Sequence, residues 1–432
     1  MAERPLVIRG GRVIDPSLEI DTEADVLVLD GKVAEVGKNL ELPDGSEFID
    51  ASGLVVAPGL IDVHVHFREP GMEEAETIAS GARAAAAGGF TGVCAMPNTD
   101  PVTDNQAAVG FVVKQGTAAR AARVYPMAAI TLEQKGQRLS EFGELVAAGA
   151  VAVSDDGRPV VSSHMMRTAL EYARSFEIPV VDHCEDSELA SGGAMHEGLV
   201  SNRLGLKGIP AAAEEIIVAR DALLAELTGG HVHICHVSTS GSVEIIRQAK
   251  KRGANITAEV TPHHFTLTDV ACEGYDTNAK MSPPLRESED VASVIEGLKD
   301  GTVDLIATDH APHHYEAKER EFDDAPFGVV GLETALGIGI MQLVDTKALS
   351  LSALIYRMST MPARAFRLPG GSLVPGGAAD VVLFDPQRRW EVDPSAFLSQ
   401  SRNSPFAGWE LSGKVVRTLV GGRTVFECDG AE

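Results

Sequence analysis

Between residues 59 and 308, apolar runs of strand length alternate with segments of helical periodicity, and this alternation restricts the fold more than any other feature. Eight runs read as strands: 59–65, 91–96, 123–130, 149–154, 178–182, 232–237, 255–260 and 303–308. Helical patterns such as Glu73–Ala87, Ala211–Leu227 and Gly241–Lys251 lie between them. Strand, crossover helix and strand in succession build a parallel sheet covered on both faces. Eight such units over roughly 310 residues predict an α/β fold of the TIM (β/α)8 barrel type with insertions. An open doubly wound sheet is the alternative, but no Gly-x-Gly-x-x-Gly turn follows an early strand.

The two ends of the chain read differently. Leu6-Val7-Ile8, Asp25–Leu29 and Leu54-Val55-Val56 are short strands punctuated by Gly10-Gly11 and Asp30-Gly31. Asp380–Asp385, Val415–Val420 and Thr424-Val425-Phe426 repeat the pattern near the C-terminus. Each end is too short to bury much core alone. The expectation is one small β-sandwich domain assembled from 1–57 and 372–432, flanking a barrel domain over 58–371.

Charge and composition exclude several classes of function. A net charge of −25 opposes binding to nucleic acid or to an anionic membrane. Apolar residues make up 44% and charged ones 23%, ordinary values for a globular protein. No apolar run reaches the roughly 18 residues of a membrane span; Gly328 to Val344 is interrupted by Glu333 and Gln342. The opening residues lack the apolar core of a signal peptide. Five scattered cysteines without a CxxC pair fit buried thiols in a reducing compartment, so a cytoplasmic enzyme is expected.

Barrels of this kind carry their chemistry at the C-terminal ends of the strands. The first candidate strand ends in His64, His66 and Arg68. Period-2 alternation turns both imidazoles to one face, and Arg68 follows with a planar fork suited to a carboxylate. Asn98 follows the second strand, Asp155-Asp156 the fourth, His183 the fifth, His236 the sixth and Asp309 the eighth. Taken singly, Asp155-Asp156-Gly157 is also a plain turn, His183 a core histidine and Asp309 a helix N-cap. Four histidines and two aspartates at one barrel mouth supply ligands for two divalent ions, zinc favoured. His164 and His196 read as structural, and His231 and His233 sit lower in the barrel or outside it. His263 and His264 read as supporting or packing residues.

The stretch Asp62–Gly71, with Met96-Pro97-Asn98-Thr99, Ser154-Asp155-Asp156-Gly157, Asp182-His183-Cys184-Glu185 and Cys235-His236-Val237-Ser238, resembles the amidohydrolase superfamily. Together with Asn278–Arg286, Ala307–His313 and Pro405–Trp409, these motifs resemble class I dihydroorotases over nearly the whole chain. The resemblance implies the third step of pyrimidine biosynthesis, the reversible cyclisation of N-carbamoyl-L-aspartate to L-dihydroorotate. It implies zinc, one or two ions per chain, and attack by a zinc-bound hydroxide. His64, His66 and Asp309 would bind the more buried ion, His183 and His236 the second, with Asp156 bridging. Asp309 would also be the catalytic base and acid. Arg68, Asn98 and His313 would hold the substrate carboxylate, Asn278 would reach the ring, and Pro326, Phe327 and Gly328 would offer backbone hydrogen bonds. The resemblance further implies a homodimer and admits a complex with aspartate transcarbamoylase.

Two departures sharpen this reading. Dihydropyrimidinases, hydantoinases and allantoinases of the superfamily bridge their metals with a carboxylated lysine after the fourth strand. No lysine occurs here between Lys135 and Lys207, so Asp156 is expected to bridge. Ser282 stands where asparagine is expected, with an effect on local packing. A hydantoin or allantoin amidase is opposed by the missing lysine and by the Arg68–Asn98–His313 grip. A non-catalytic partner of aspartate transcarbamoylase is opposed by the retention of all six ligands.

Overall fold

The computed structural model describes residues 4–428. Five N-terminal strands come first: β1 (Leu6–Asp15), β2 (Ile20–Leu29), β3 (Lys32–Gly37), β4 (Glu47–Asp50) and β5 (Val55–Pro58). After Gly59 the chain enters the barrel through β6 (Leu60–Val65), β7 (Phe90–Ala95), β8 (Arg123–Ala128), β9 (Ala152–Ser154) and β10 (Val180–Asp182). A short parallel pair, β11 (Met195–His196) and β12 (Gly208–Ile209), precedes β13 (Val232–Ile234), β14 (Ile256–Val260) and β15 (Leu305–Ile306). The C-terminal strands are β16 (Val381–Glu391), β17 (Glu410–Val420) and β18 (Arg423–Glu427).

Strands β6 to β10 and β13 to β15 pair in parallel in one eight-stranded sheet, in chain order. The sheet closes where Val65 pairs with His310 and the His66 N–H donates to the His310 carbonyl at 2.8 Å. The eight strands anticipated from the apolar runs are therefore the barrel strands. β6 and β7 are buried along their whole length, as a strand covered by helices on one side and barrel core on the other must be. The crossover helices Ala212–Thr228 and Ser240–Lys251 match their patterns within a residue.

The first helix differs from its pattern. It runs over Ile78–Ala87, because Thr77 and Ser80 form a reciprocal capping box that fixes its start. Glu73–Glu76 precede it as turns, and Glu76 is buried against the C-terminal segment instead.

The two chain ends share one sheet, ordered β18-β17-β16-β5-β1-β2-β3, with β4 on β1. It is antiparallel except where β4 and β5 lie parallel to β1. Ile8, Val13, Val26, Val33, Val56, Val381, Leu383 and Leu419 form its own buried core. Arg123 of β8 holds Asp380 with two hydrogen bonds of 3.0 Å, tying this sheet to the base of the barrel. Cys94, Cys184, Cys235 and Cys272 are buried thiols. Among the described residues no helix is long and apolar enough to cross a membrane.

Candidate metal centre and active site

Strand β6 and the residue just after it present His64 and His66 to the same face, and both are buried. Asp62, two residues earlier, accepts from the His64 N–H at 3.0 Å and from the Thr308 N–H at 3.1 Å. That contact fixes the end of β6 against the loop carrying Asp309. Asp155 accepts from the Thr131 N–H at 3.0 Å and from its hydroxyl, which leaves Asp156 to face the centre. Arg68, His236 and Asp309 all have positive φ (55°, 31° and 46°). Such backbone is costly for residues with a Cβ, and it clusters where a site demands a particular side-chain direction.

All six anticipated ligands come together. Asp309 Oδ1 is 3.0 Å from His66 Nε2 and 3.4 Å from His64 Nε2. Asp156 Oδ1 lies 3.6 Å from His64 Nε2 and 3.8 Å from both His183 Nδ1 and His236 Nε2. Its other oxygen is 3.5 Å from His66 Nε2, so the carboxylate stands between the two histidine pairs. Atoms around a tetrahedral zinc at about 2.0–2.1 Å are separated by about 3.3 Å, which these spacings resemble. His64 Nε2 and Asp156 Oδ1 are buried with no hydrogen-bond partner in the protein. Buried polar atoms are rarely left so, and a cation shared by nitrogen and oxygen donors satisfies them. His64, Asp156 and His236 are also joined by Cys235, a neighbour that sequence reasoning did not include. Burial, aided by Glu259 and Asp156, pushes its thiol pKa upward, against the thiolate a metal needs.

The electrostatics agree with a cationic occupant. Burial opposes charge on His64, yet Asp309, Glu259 and Asp156 together outweigh it and raise its pKa to about 10. Burial likewise opposes ionisation of Asp156 and Asp309, but the surrounding histidines, His64 foremost, hold both carboxyls below their ordinary range. Three acidic groups around one histidine make a site short of positive charge.

A cavity of about 480 Å³ opens above this cluster. His66, Asp156, His183, His236 and Asp309 line its floor, and Arg68, Asn98, His313, Pro326 and Phe327 its wall. Arg68 is half-buried and donates from Nε to the Pro312 carbonyl at 3.1 Å. Burial lowers its pKa to about 10, so it stays charged. Asn98 Oδ1 is 3.0 Å from His66 Nδ1 and accepts its proton, leaving the amide nitrogen of Asn98 for a ligand. His313 Nε2 donates to the Phe327 carbonyl at 2.7 Å. Burial and the adjacent Arg68 lower the His313 pKa to about 3, so the ring is neutral. Ser282 lines the cavity and donates to Glu185 at 3.2 Å.

Two of the anticipated substrate contacts stand back from the cavity. Asn278 sits in the turn Thr277–Ala279, its N–H capped by Asp276 at 3.0 Å. Gly328 turns its N–H to the Lys280 carbonyl at 2.9 Å. Other residues at the site were not foreseen. Glu259 of β14 contacts His64 and His233, and Asn403 binds the wall carrying His313. A lone glutamate inside the strand Ile256–Val260 was the available signal for the first, since a buried acid needs a partner. Nothing local marks the second. His263 and His264 are buried, His264 between Thr261 and the Pro283 carbonyl, while His164 is exposed.

Comparison with known proteins gives one consistent relation. A family profile described as Dihydro-orotase-like matches residues 53–242. A dihydroorotase from Geobacter metallireducens is 53% identical over 422 residues, 98% of this chain and 99% of that protein. One from Pelotomaculum thermopropionicum is 54% identical over 98% of both. Among solved structures, an L-hydantoinase (dihydropyrimidinase) from Arthrobacter aurescens superposes with a TM-score of 0.87 at 27% identity, covering 99% of this chain and 96% of its own. With full-length relatives at this identity, the chain belongs to the dihydroorotase family.

Proposed function

We propose that this protein is a zinc-dependent dihydroorotase that interconverts N-carbamoyl-L-aspartate and L-dihydroorotate. The observation that carries the reading is the meeting of six buried metal-type ligands, five of them on the floor of one cavity, with a charged arginine on its wall. His64, His66 and Asp309 would hold one ion, His183 and His236 a second, and Asp156 both. When bound, such ions supply Lewis-acid polarisation of an amide carbonyl and acidify a water molecule.

The remaining work falls to the chain's own groups. Arg68 would hold the substrate carboxylate through the terminal nitrogens its Pro312 contact leaves available. The Asn98 amide nitrogen would take a second position on that carboxylate, beside His313. Asp309 Oδ1 faces the two imidazoles, so Oδ2 is the oxygen that would accept the proton of the attacking water. Hydrolysis forms a bond from that water oxygen to the ring carbonyl carbon and breaks the carbonyl carbon–nitrogen bond. Asp309 would return the proton to the leaving nitrogen, and the reverse sequence closes the ring. Pro326 and Phe327, which line the cavity, would meet the ring once it is bound, whereas Asn278 and Gly328 would reach it only if their loops moved.

Asp156 in place of a lysine supports this reading over a hydantoinase, despite the likeness in fold. The reading also carries a homodimer, cytoplasmic residence, an optional complex with aspartate transcarbamoylase, and a catalytic unit over 58–371 beside a composite β-unit of 1–57 and 372–432. The test is hydrolysis of dihydroorotate and cyclisation of carbamoyl aspartate by purified protein, with metal analysis of the same sample. Dihydrouracil or hydantoin turned over as fast as dihydroorotate would overturn the reading.

A further inference from the structure

Between β16 and β17 the chain leaves the terminal sheet, crosses the mouth of the barrel and returns. The crossing is anchored at several points. Glu333 accepts from the N–H groups of Leu398 and Ser399, each at 3.0 Å. Ser401 donates to the Ala75 carbonyl at 2.7 Å, and Gln400 N–H to Glu76 at 3.3 Å. Beyond these anchors comes Asn403, 3% exposed.

Every hydrogen-bonding atom of the Asn403 side chain is used on the cavity wall. Its Oδ1 accepts from the His313 N–H at 3.1 Å. Its Nδ2 donates to the Ala311 and Gly328 carbonyls, each at 3.0 Å. Its own carbonyl accepts from the Val330 N–H at 3.0 Å. One short amide thus fixes the spacing between 311–313, which follow Asp309, and 326–330. The two segments meet closely: a Cβ on Gly328, at φ +151°, would fall 2.6 Å from the Ala311 carbonyl and 2.7 Å from the His313 ring. Aspartate has the acceptor without the two donors, serine has one hydroxyl, and glutamine is a methylene too long.

Resting on the dihydroorotase reading, we infer that Asn403 is a positioning residue for substrate affinity. It holds the Pro312–His313 peptide, whose carbonyl orients Arg68, and the Gly328 carbonyl next to the Phe327 carbonyl that orients His313, so the carboxylate grip depends on the C-terminal crossing. Asn403 touches neither the metal-type ligands nor the reacting atoms. Losing it should weaken ground-state and transition-state binding alike, which raises KM without lowering kcat.

The experiment uses the full-length, zinc-loaded protein with Asn403→Ser, and Ser401→Ala as a control that loosens the same segment away from the wall. For Asn403→Ser, KM for dihydroorotate should rise about tenfold or more while kcat and zinc per chain stay near wild type. Ser401→Ala should keep the wild-type KM. An unchanged KM in Asn403→Ser overturns the inference, as does a parallel loss of kcat, KM and zinc in both variants. If Asn403→Ser does not fold, amide hydrogen exchange in the wild type decides: slow exchange at His313 and Val330 supports the clamp, and fast exchange overturns it. Absence of dihydroorotate turnover in the wild type would instead overturn the activity reading, without reference to either variant.

Discussion

His64 Nδ1 lies 2.6 Å from Glu259 Oε1, and the other oxygen of that carboxylate lies 2.9 Å from His233 Nε2. Burial works against charge on Glu259, but His64 and His233 overcome it and hold the carboxyl below its ordinary range. An ionised carboxylate only accepts, so both facing nitrogens carry protons. The His64 proton is thereby kept on Nδ1, and Nε2 faces Asp156 and Asp309, where it would serve as the proposed ligand. Carboxylate support of this kind orients a metal-binding imidazole and raises its basicity. Glu259→Gln keeps the shape and removes the charge. It should lower zinc affinity by about 10–100-fold in competition against a chelator. Unchanged affinity would mean that Glu259 only fills space.

Arg68→Lys should cut kcat/KM for dihydroorotate sharply. A lysine ammonium is a point charge and cannot reproduce both the Pro312 contact and a bidentate carboxylate grip. The loss expected for a charge-assisted pair is about 1.5–3 kcal/mol, or roughly 10–150-fold. Wild-type enzyme should turn over dihydrouracil poorly, and the variant should narrow the ratio between the two substrates. A lysine variant with full preference for the carboxylate substrate would remove Arg68 from the grip.

Asp309 is the group proposed to carry the proton in both directions. Its neighbours hold it ionised in the free site, which suits acceptance of a proton during hydrolysis. Ring closure needs the protonated acid. Hydrolysis also needs the deprotonated water that the proposed metal would supply, so it is expected to gain toward alkaline pH and cyclisation toward acid pH. Asp309→Asn is nearly isosteric and should retain some zinc while losing almost all turnover in both directions. Wild-type rates with zinc bound would reduce Asp309 to a ligand.

The barrel was legible because its strands are continuous apolar runs, and the six proposed ligands because each lies at or just beyond the C-terminal end of such a run. What escaped depends on contacts between distant parts of the chain. Glu73–Glu76 have helical spacing, but the Thr77–Ser80 box starts the helix later and frees Glu76 to bind Gln400. His233, which the sequence places lower in the barrel or outside it, is buried within β13, and its link to the centre passes through Glu259, one strand away. Asn403 lies ninety residues from the His313 N–H that it accepts, so no local pattern reports it. β3 and β4 escaped because each is short and fully buries one residue, Val33 and Ile49.

Glu333 makes stability depend on pH in a direction that can be worked out. It accepts from the backbone N–H groups of Leu398 and Ser399, which favours its ionised form, but burial is larger and raises its pKa to about 7. The unfolded value is about 4.3. Between these values the folded state binds more protons than the unfolded one, so this group's contribution to stability is full below about pH 4 and is lost as pH rises through about 7. Glu333→Gln resembles the protonated carboxyl and cannot ionise. The variant should therefore gain on the wild type as pH rises from 5.5 to 8, read as the difference between their melting temperatures at each pH. A difference in melting temperature that stays constant across this range would show that Glu333 does not change its charge on folding.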